Sequence, residues 1–242
     1  MDAVIEPLKS AAAISTLAST LAGQIRLAIL WGELPPGAKL RLADLREQYE
    51  VSLSPLREAL SKLSMEGLVV AEDQKGYRVA PVSAENLKEV VKLRSHFESI
   101  ALAEAISTGG DEWEERLVAV FHRLSKLERD SARKLRIEDW ERAHRVFHTA
   151  LIAGCGMPLL LQFCGTLHDL NDRYRRLFLK KYPAGRDVCA EHLAIYEATL
   201  ARDAKKACEL LRRHIARTGE LLLKAQPKKF STAFEKKKIS HN

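Results

Sequence analysis

The chain has 242 residues, 46% hydrophobic and 29% charged, enough for one large or two ordinary domains of a soluble globular protein. No apolar run reaches the length of a membrane span. The opening MDAVIEPLKSAAAISTLAST starts acidic and breaks its apolar stretch with Ser and Thr, unlike a signal peptide, so a cytoplasmic protein is expected. The formal net charge of +7 suggests an acidic partner. Residues 1–82, however, hold 9 Lys and Arg against 10 Asp and Glu, and the last sixteen hold 5 against 1. Local positions, rather than overall charge, must therefore carry any argument about nucleic acid.

After an N-terminal arm over residues 1–12, LASTLAGQIRLAILWG sets Leu17, Leu21, Ile25, Ala28 and Ile29 at helical spacing, with Gly32 as a stop. The turn ELPPGAKL follows. LADLREQYE predicts a short helix and VSLSPLREALSKLSMEGL a second. Ser54 is expected as N-cap of that second helix, with Pro55 at its first position and Glu58 placed for a capping box. LVVAEDQKGYRVAPV then reads as two short strands joined by a turn at Asp73–Gly76. Helix, turn, helix, turn, helix, hairpin is the order of a winged helix-turn-helix over residues 13–82, and other small α+β domains share it.

Residues 83–226 read as helix throughout. Six segments are expected: Ser83 to about Ser107, Asp111 to about Lys134, Ile137–Ala153, the run beginning MPLLLQFCGTLHDL, RDVCAEHLAIYEATLAR, and DAKKACELLRRHIARTGELLLK with Asp203 as N-cap. Gly154, Gly156, Pro158, Pro183 and Gly185 punctuate them. Short linkers imply antiparallel neighbours, so the predicted fold is mainly α: a winged helix-turn-helix followed by an antiparallel six-helix bundle. The last segment, residues 227–242, is basic and reads as a disordered tail, solvated or in contact with DNA. Cys155, Cys164, Cys189 and Cys208 are widely spaced without a C-x-x-C pair, which points to reduced thiols.

Within the third bundle helix, ERAHRVFHTALIAG sets His144 and His148 four residues apart, on one face beside apolar residues. Two titratable rings at the edge of a core either find polar partners or hold something. His192 and His214 lie on the last two helices, each eleven residues from Asp203 at the turn between them. At about 1.5 Å per residue both sit roughly 16 Å from that turn, so an antiparallel hairpin brings them to one height. Four convergent imidazoles suit a borderline metal such as zinc or nickel.

The run ILWGELPPGAKLRLADLREQYEVSLSPLREALSKLSMEGLVVAEDQKGYRV resembles the winged helix of GntR-family bacterial transcription regulators: its G-x-L-x-P-G turn, V-S-x-x-P-L-R-E-A-L helix and E-G-L-V wing entry match in order and spacing. The helical remainder resembles the FCD ligand-binding domain of the FadR subfamily, in the six-helix VanR-like form. The resemblance implies a homodimer on an inverted-repeat operator in double-stranded DNA, without a membrane. It gives Arg57 a guanine contact, Ser52 and Ser54 phosphate contacts, and Lys75, Gly76, Tyr77 and Arg78 a wing near the backbone or minor groove. Two departures stand out: Leu53 where the family commonly has Arg, and Glu50 where it commonly has Gly.

For the bundle, the resemblance implies a divalent metal held at the positions of His144, His148, His192 and His214, with His144 replacing the usual Asp or Asn. It also implies a small organic acid as effector, met by Arg94 with Glu98 orienting it, and Asn171 and Arg173 are read as lining the same cavity. The expected function is ligand-responsive repression. A direct metal sensor is the alternative, with a structural metal as a further one. A helical metal hydrolase is disfavoured, since there is no H-E-x-x-H and no carboxylate evidently placed beside the four histidines.

Overall fold

The computed structural model describes residues 16–129, 137–178 and 186–225. The predicted arm 1–12 and tail 227–242 lie outside them, as do Lys134, Pro183, Gly185 and His241. The chain divides into two compact units between Pro81 and Val82. No helix among the described residues is long and apolar enough to cross a membrane.

In the first unit, α1 (Leu17–Trp31) starts where Thr16 accepts the amide of Ser19 and ends at Gly32, whose φ of 79° gives the left-handed turn that glycine tolerates. Its buried stripe is Ala18, Leu21, Ala22, Ile25, Ala28, Ile29 and Leu30. Leu17, expected in that stripe, is 60% exposed because it begins the helix, outside the core-facing arc. The helices α2 (Leu42–Tyr49) and α3 (Leu53–Met65) follow. Leu56, Leu60 and Leu63 of α3 are fully buried and complete this core, while Arg26 of α1 grips the carboxylate of Glu66 at 2.7 and 3.2 Å.

The start of α3 differs from the sequence expectation. Ser52 is the N-cap, without a side-chain cap bond, and Ser54 and Pro55 lie inside the first turn. Proline is tolerated anywhere in that turn, since amides there lack intrahelical acceptors, so Pro55 does not fix the cap one residue ahead of it. The wing pairs β2 (Val69–Glu72) with β3 (Gly76–Val79). A third strand missed by the sequence reading, β1 (Lys39–Leu40), pairs antiparallel on the other edge of β3, giving the order β1-β3-β2. Two residues are too few to show alternation.

The second unit holds six α-helices among the described residues: α4 (Ala84–Thr108), α5 (Asp111–Arg129), α6 (Ile137–Ile152), α7 (Pro158–Phe178), α8 (Val188–Leu200) and α9 (Ala204–Ala225). Ser83 caps α4 by accepting the amide of Asn86, Asp187 caps α8 through Ala190, and Asp203 caps α9 through Lys206, each with a side-chain oxygen at 2.9–3.0 Å. The long helix α4 packs against α6, α7 and α9. Its core includes Leu102, Leu117, Phe147, Leu151, Ile195 and Leu211, all fully buried. Trp113 donates its indole N–H to the carbonyl of Ala150 at 2.8 Å. Gly154, expected only as a helix breaker, also lets that indole approach, because a Cβ there would meet the ring at 2.9 Å.

Candidate functional site

The bundle brings the four histidines together. The helix α6 supplies His144 and His148 from one face, α8 supplies His192, and α9 supplies His214. All are buried, and one ring nitrogen from each lies within 4.8 Å of the others. Ring centroids are 4.5 Å apart for His144 and His148 and 4.8 Å for His192 and His214. The last pair meets because the two residues are equally distant from the hairpin turn.

What lies behind the rings fixes their proton positions. His192 Nδ1 donates to Glu128 of α5 at 2.8 Å, and His214 Nδ1 donates to Glu191 at 2.8 Å. Arg186 and Arg217 hold Glu191 in turn, at 2.6 and 2.9 Å. Carboxylates are therefore present beside the cluster, contrary to the sequence expectation. No sequence signal marks Glu128, which belongs to a helix with no other residue in the site. Glu191 directly precedes His192 and reaches the ring on the neighbouring helix. His144 is different: its Nδ1 accepts an N–H from Arg175 of α7 at 2.9 Å. Arg175 also donates to Glu141 and lies 3.1 Å from Asp172.

Burial holds His144 and His148 well below the ordinary histidine range, and the neighbouring cations and rings add to the effect. Burial brings His214 down to about 3, outweighing the hydrogen bond to Glu191 that acts the other way. The rings of His144, His148 and His214 are neutral near neutral pH, and the neutral ring is the form that binds metal. His192 Nε2 is buried and its lone pair meets no hydrogen-bond donor among the described residues. A buried polar atom left unpaired is costly, so the site suits an added cation.

A second polar group adjoins the first. Arg94 of α4 is buried and donates to Glu98 at 2.6 and 3.3 Å. His168 of α7, unassigned from sequence, places Nε2 2.9 Å from the same carboxylate, and its ring centroid is 6.2 Å from that of His148. Burial alone would raise the Glu98 carboxyl, but Arg94 and His168 bring it down to about 2. Asn171 is 1% exposed, and neither amide atom has a hydrogen-bond partner among the described residues.

Arg173, read from the sequence as lining the same cavity as Asn171, lies two residues further along α7. Residues two apart on a helix point to different sides, and the Arg173 guanidinium lies 5.6 Å from the centroid of the Tyr174 ring. Tyr174 packs with Val82, Leu87 and Leu222. The cation on the Asn171 side is Arg175, four residues further on.

In the first unit, Ser52, Ser54 and Arg57 are exposed at the N-terminal end of α3. Lys75 and Gly76 are exposed at the wing tip, where Gly76 adopts a φ of 87°. Arg78, partly exposed, donates to the carbonyl of Gly37 at 2.7 Å and pairs with Glu72 at 3.4 Å. Glu50 caps α2 in the left-handed region at φ 52°, the conformation for which the family glycine is suited.

Comparison with known proteins agrees with this architecture. Residues 17–79 match the family described as bacterial regulatory proteins, gntR family, and residues 89–217 match the FCD domain. The chain is 41% identical over 191 residues to the HTH-type transcriptional repressor GlaR of Escherichia coli (strain K12), covering 77% of this chain and 87% of that protein. It is 39% identical over 194 residues to the HTH-type transcriptional regulator BphR of Paraburkholderia xenovorans (strain LB400), covering 79% of each. The E. coli McbR/YncC structure shares the fold, with a TM-score of 0.74 at 20% identity over 86% of this chain and 98% of that one. These relatives are named as regulators, not enzymes. A winged helix-turn-helix followed by an FCD bundle, with relatives of this closeness, makes the chain a member of the GntR family of bacterial transcription regulators.

Proposed function

We propose that the protein is a cytoplasmic, ligand-responsive repressor that binds an inverted-repeat operator as a homodimer and is controlled by a small organic acid bound beside a divalent metal. The four-histidine cluster carries this reading. Its nitrogen atoms lie close enough to share one ion, and carboxylates hold the Nδ1 protons of His192 and His214, leaving each Nε2 with a lone pair. The donor set of His148, His192 and His214, with the ring of His144 beside them, is all nitrogen and favours zinc or nickel over oxygen-seeking ions. A bound ion supplies positive charge and open coordination to an anion.

The neighbouring groups favour an organic acid over metal as the sole signal. A regulator answering to metal alone has no use for the unpaired amide of Asn171, one helical turn after His168, or for a buried Arg94–Glu98–His168 chain. Arg94 offers a carboxylate partner whose geometry Glu98 already fixes.

Support for the homodimer comes from an apolar surface on α4 and α7. Leu93, Ile100, Leu159 and Phe163 are 36–65% exposed, and Phe97 and Phe163 bring the two helices together with ring centroids 6.2 Å apart. Two copies joined through the bundle present two copies of α3, matching the symmetry of an inverted repeat.

The test is selection of duplexes from a random pool by the full chain, then titration of the selected duplex with zinc, nickel and a panel of small carboxylic acids. An enriched inverted repeat whose binding changes with an acid only when metal is present supports the reading. A chain that selects no sequence, or whose DNA binding ignores both metal and acids, contradicts it.

A further inference from the structure

Arg175 has donors only, since a guanidinium carries no acceptor. The hydrogen bond from its NH1 to His144 Nδ1 therefore requires a lone pair on that nitrogen, and the neutral ring keeps its proton on Nε2. His192 and His214 are the reverse: His192 Nδ1 donates to Glu128, and His214 Nδ1 donates to Glu191 at 2.8 Å, a shorter contact than the 3.4 Å to Arg186 NH2 on the same nitrogen. The arrangement around His144 is firmly held. Arg175 is 2% exposed and clamped by Glu141 and Asp172, and Trp140 stacks on the His144 ring at 4.6 Å. His144 Nε2 lies 3.2 Å from His148 Nε2, so its proton points to the ring that most directly competes for it.

Ligation through His144 Nε2 would require the ring to lose its only proton. A half-turn of the ring would instead place carbon against Arg175 and forfeit that bond. Neither change is needed for the other three rings.

We propose that His144 is an anion-binding donor and not a metal ligand: the ion rests on His148, His192 and His214, and the His144 Nε2–H is directed at a carboxylate oxygen in the ion's remaining coordination position. This rests on the metal reading above and divides the cluster into three ligands and one reader. Without metal, the His144 proton is satisfied by the lone pair of His148 Nε2. His148 Nε2 would give that lone pair to a bound metal, leaving the His144 N–H for an incoming anion, so metal binding would prepare the site for the acid. The two affinities are then linked, each ligand tightening the other.

The test uses the metal-free full chain, then the zinc- and cobalt-loaded chain, with His144→Gln, His144→Ala and His148→Ala variants. Nitrogen-15 spectra of the metal-free chain should show His144 protonated at Nε2 and His192 and His214 protonated at Nδ1. X-ray absorption of the zinc form should count three imidazoles. Zinc affinity should stay within about tenfold of the parent in His144→Ala and fall by about a hundredfold or more in His148→Ala.

Acetate serves as the carboxylate probe and should change the visible spectrum of the cobalt form. His144→Gln, which keeps an N–H donor, should hold acetate within about threefold of the parent, and His144→Ala about tenfold more weakly. Four imidazoles on zinc, His144 protonated at Nδ1, or zinc loss in His144→Ala matching that in His148→Ala overturns this assignment and leaves the metal reading standing. Acetate that leaves the parent's cobalt spectrum unchanged also overturns it. A parent that takes up no zinc overturns the metal reading, and this one with it.

Discussion

Glu128, on α5, accepts the Nδ1 proton of His192, on α8, across 2.8 Å, and so ties a helix with no other residue in the cluster to the one that carries the ring. The indole N–H of Trp140 reaches the same oxygen at 3.3 Å. The carboxylate fixes the tautomer of His192, makes its Nε2 a better donor and supplies negative charge close to an incoming cation. Replacing such a partner typically costs roughly 10- to 100-fold in metal affinity. Glu128→Gln should therefore bind zinc about tenfold more weakly or worse in a competition titration, with helix content unchanged. Parental affinity in the variant would mean that Glu128 only satisfies the ring.

Acid should unfold the metal-free protein in a defined window. Burial holds His144 and His148 well below the ordinary histidine range and brings His214 to about 3. The unfolded chain titrates near 6.5, so below that pH it takes up protons that the folded chain refuses. Stability should be level above pH 6.5 and fall by about 1.4 kcal/mol per pH unit for each such histidine on the way down to the folded values. Denaturant midpoints at pH 7.5, 6.5, 5.5 and 4.5 measure this. A profile flat to pH 4.5 would show that the rings are protonated in the folded protein.

Glu50 is a side chain in a backbone conformation made for glycine, at the C-terminal cap of α2 and next to the start of α3. A left-handed residue with a Cβ costs roughly 1–2 kcal/mol, part of which glycine returns as unfolded-chain entropy. Glu50→Gly should raise stability by about 1 kcal/mol in chemical denaturation, and loss of one acid near the exposed end of α3 should tighten DNA binding at low salt. A destabilised variant would show that the glutamate side chain has a structural role.

Arg57 and Lys75 offer a paired test of the proposed DNA-reading face. Both are exposed, one on α3 and one at the wing tip. A bidentate guanine contact is worth about 1–3 kcal/mol and a phosphate contact about one unit of salt slope. Arg57→Ala should weaken binding to the selected operator by that amount and relax preference at one base position. Lys75→Ala should weaken all sequences alike and lower the salt slope by about 1. Arg78→Ala should act mainly on stability, because its guanidinium is bound to Glu72 and Gly37. Equal losses on specific and random DNA for Arg57→Ala would remove it from base reading.

Helical periodicity and turn residues made the element order legible, and the spacing of His192 and His214 about Asp203 foretold their meeting. What sequence could not supply was contact between distant helices. Nothing in the chain marks Glu128 as the partner of a residue 64 positions away, or Arg175 as the donor behind His144. Asn171 and Arg173 are close in sequence, but residues two apart on a helix do not share a face. Pro55 points to Ser54 as the cap, yet the first turn accommodates proline at several positions. The strand Lys39–Leu40 was invisible because its partner, and not its own pattern, makes it a strand.

The most direct measurement is the metal content of the purified chain beside its His148→Ala variant. About one equivalent of zinc or nickel is expected in the parent, held by the clustered nitrogen donors of His148, His192 and His214, with its loss in the variant and the helical spectrum intact. A metal-free parent that takes up neither ion on titration, and binds its operator identically with and without them, would contradict the account.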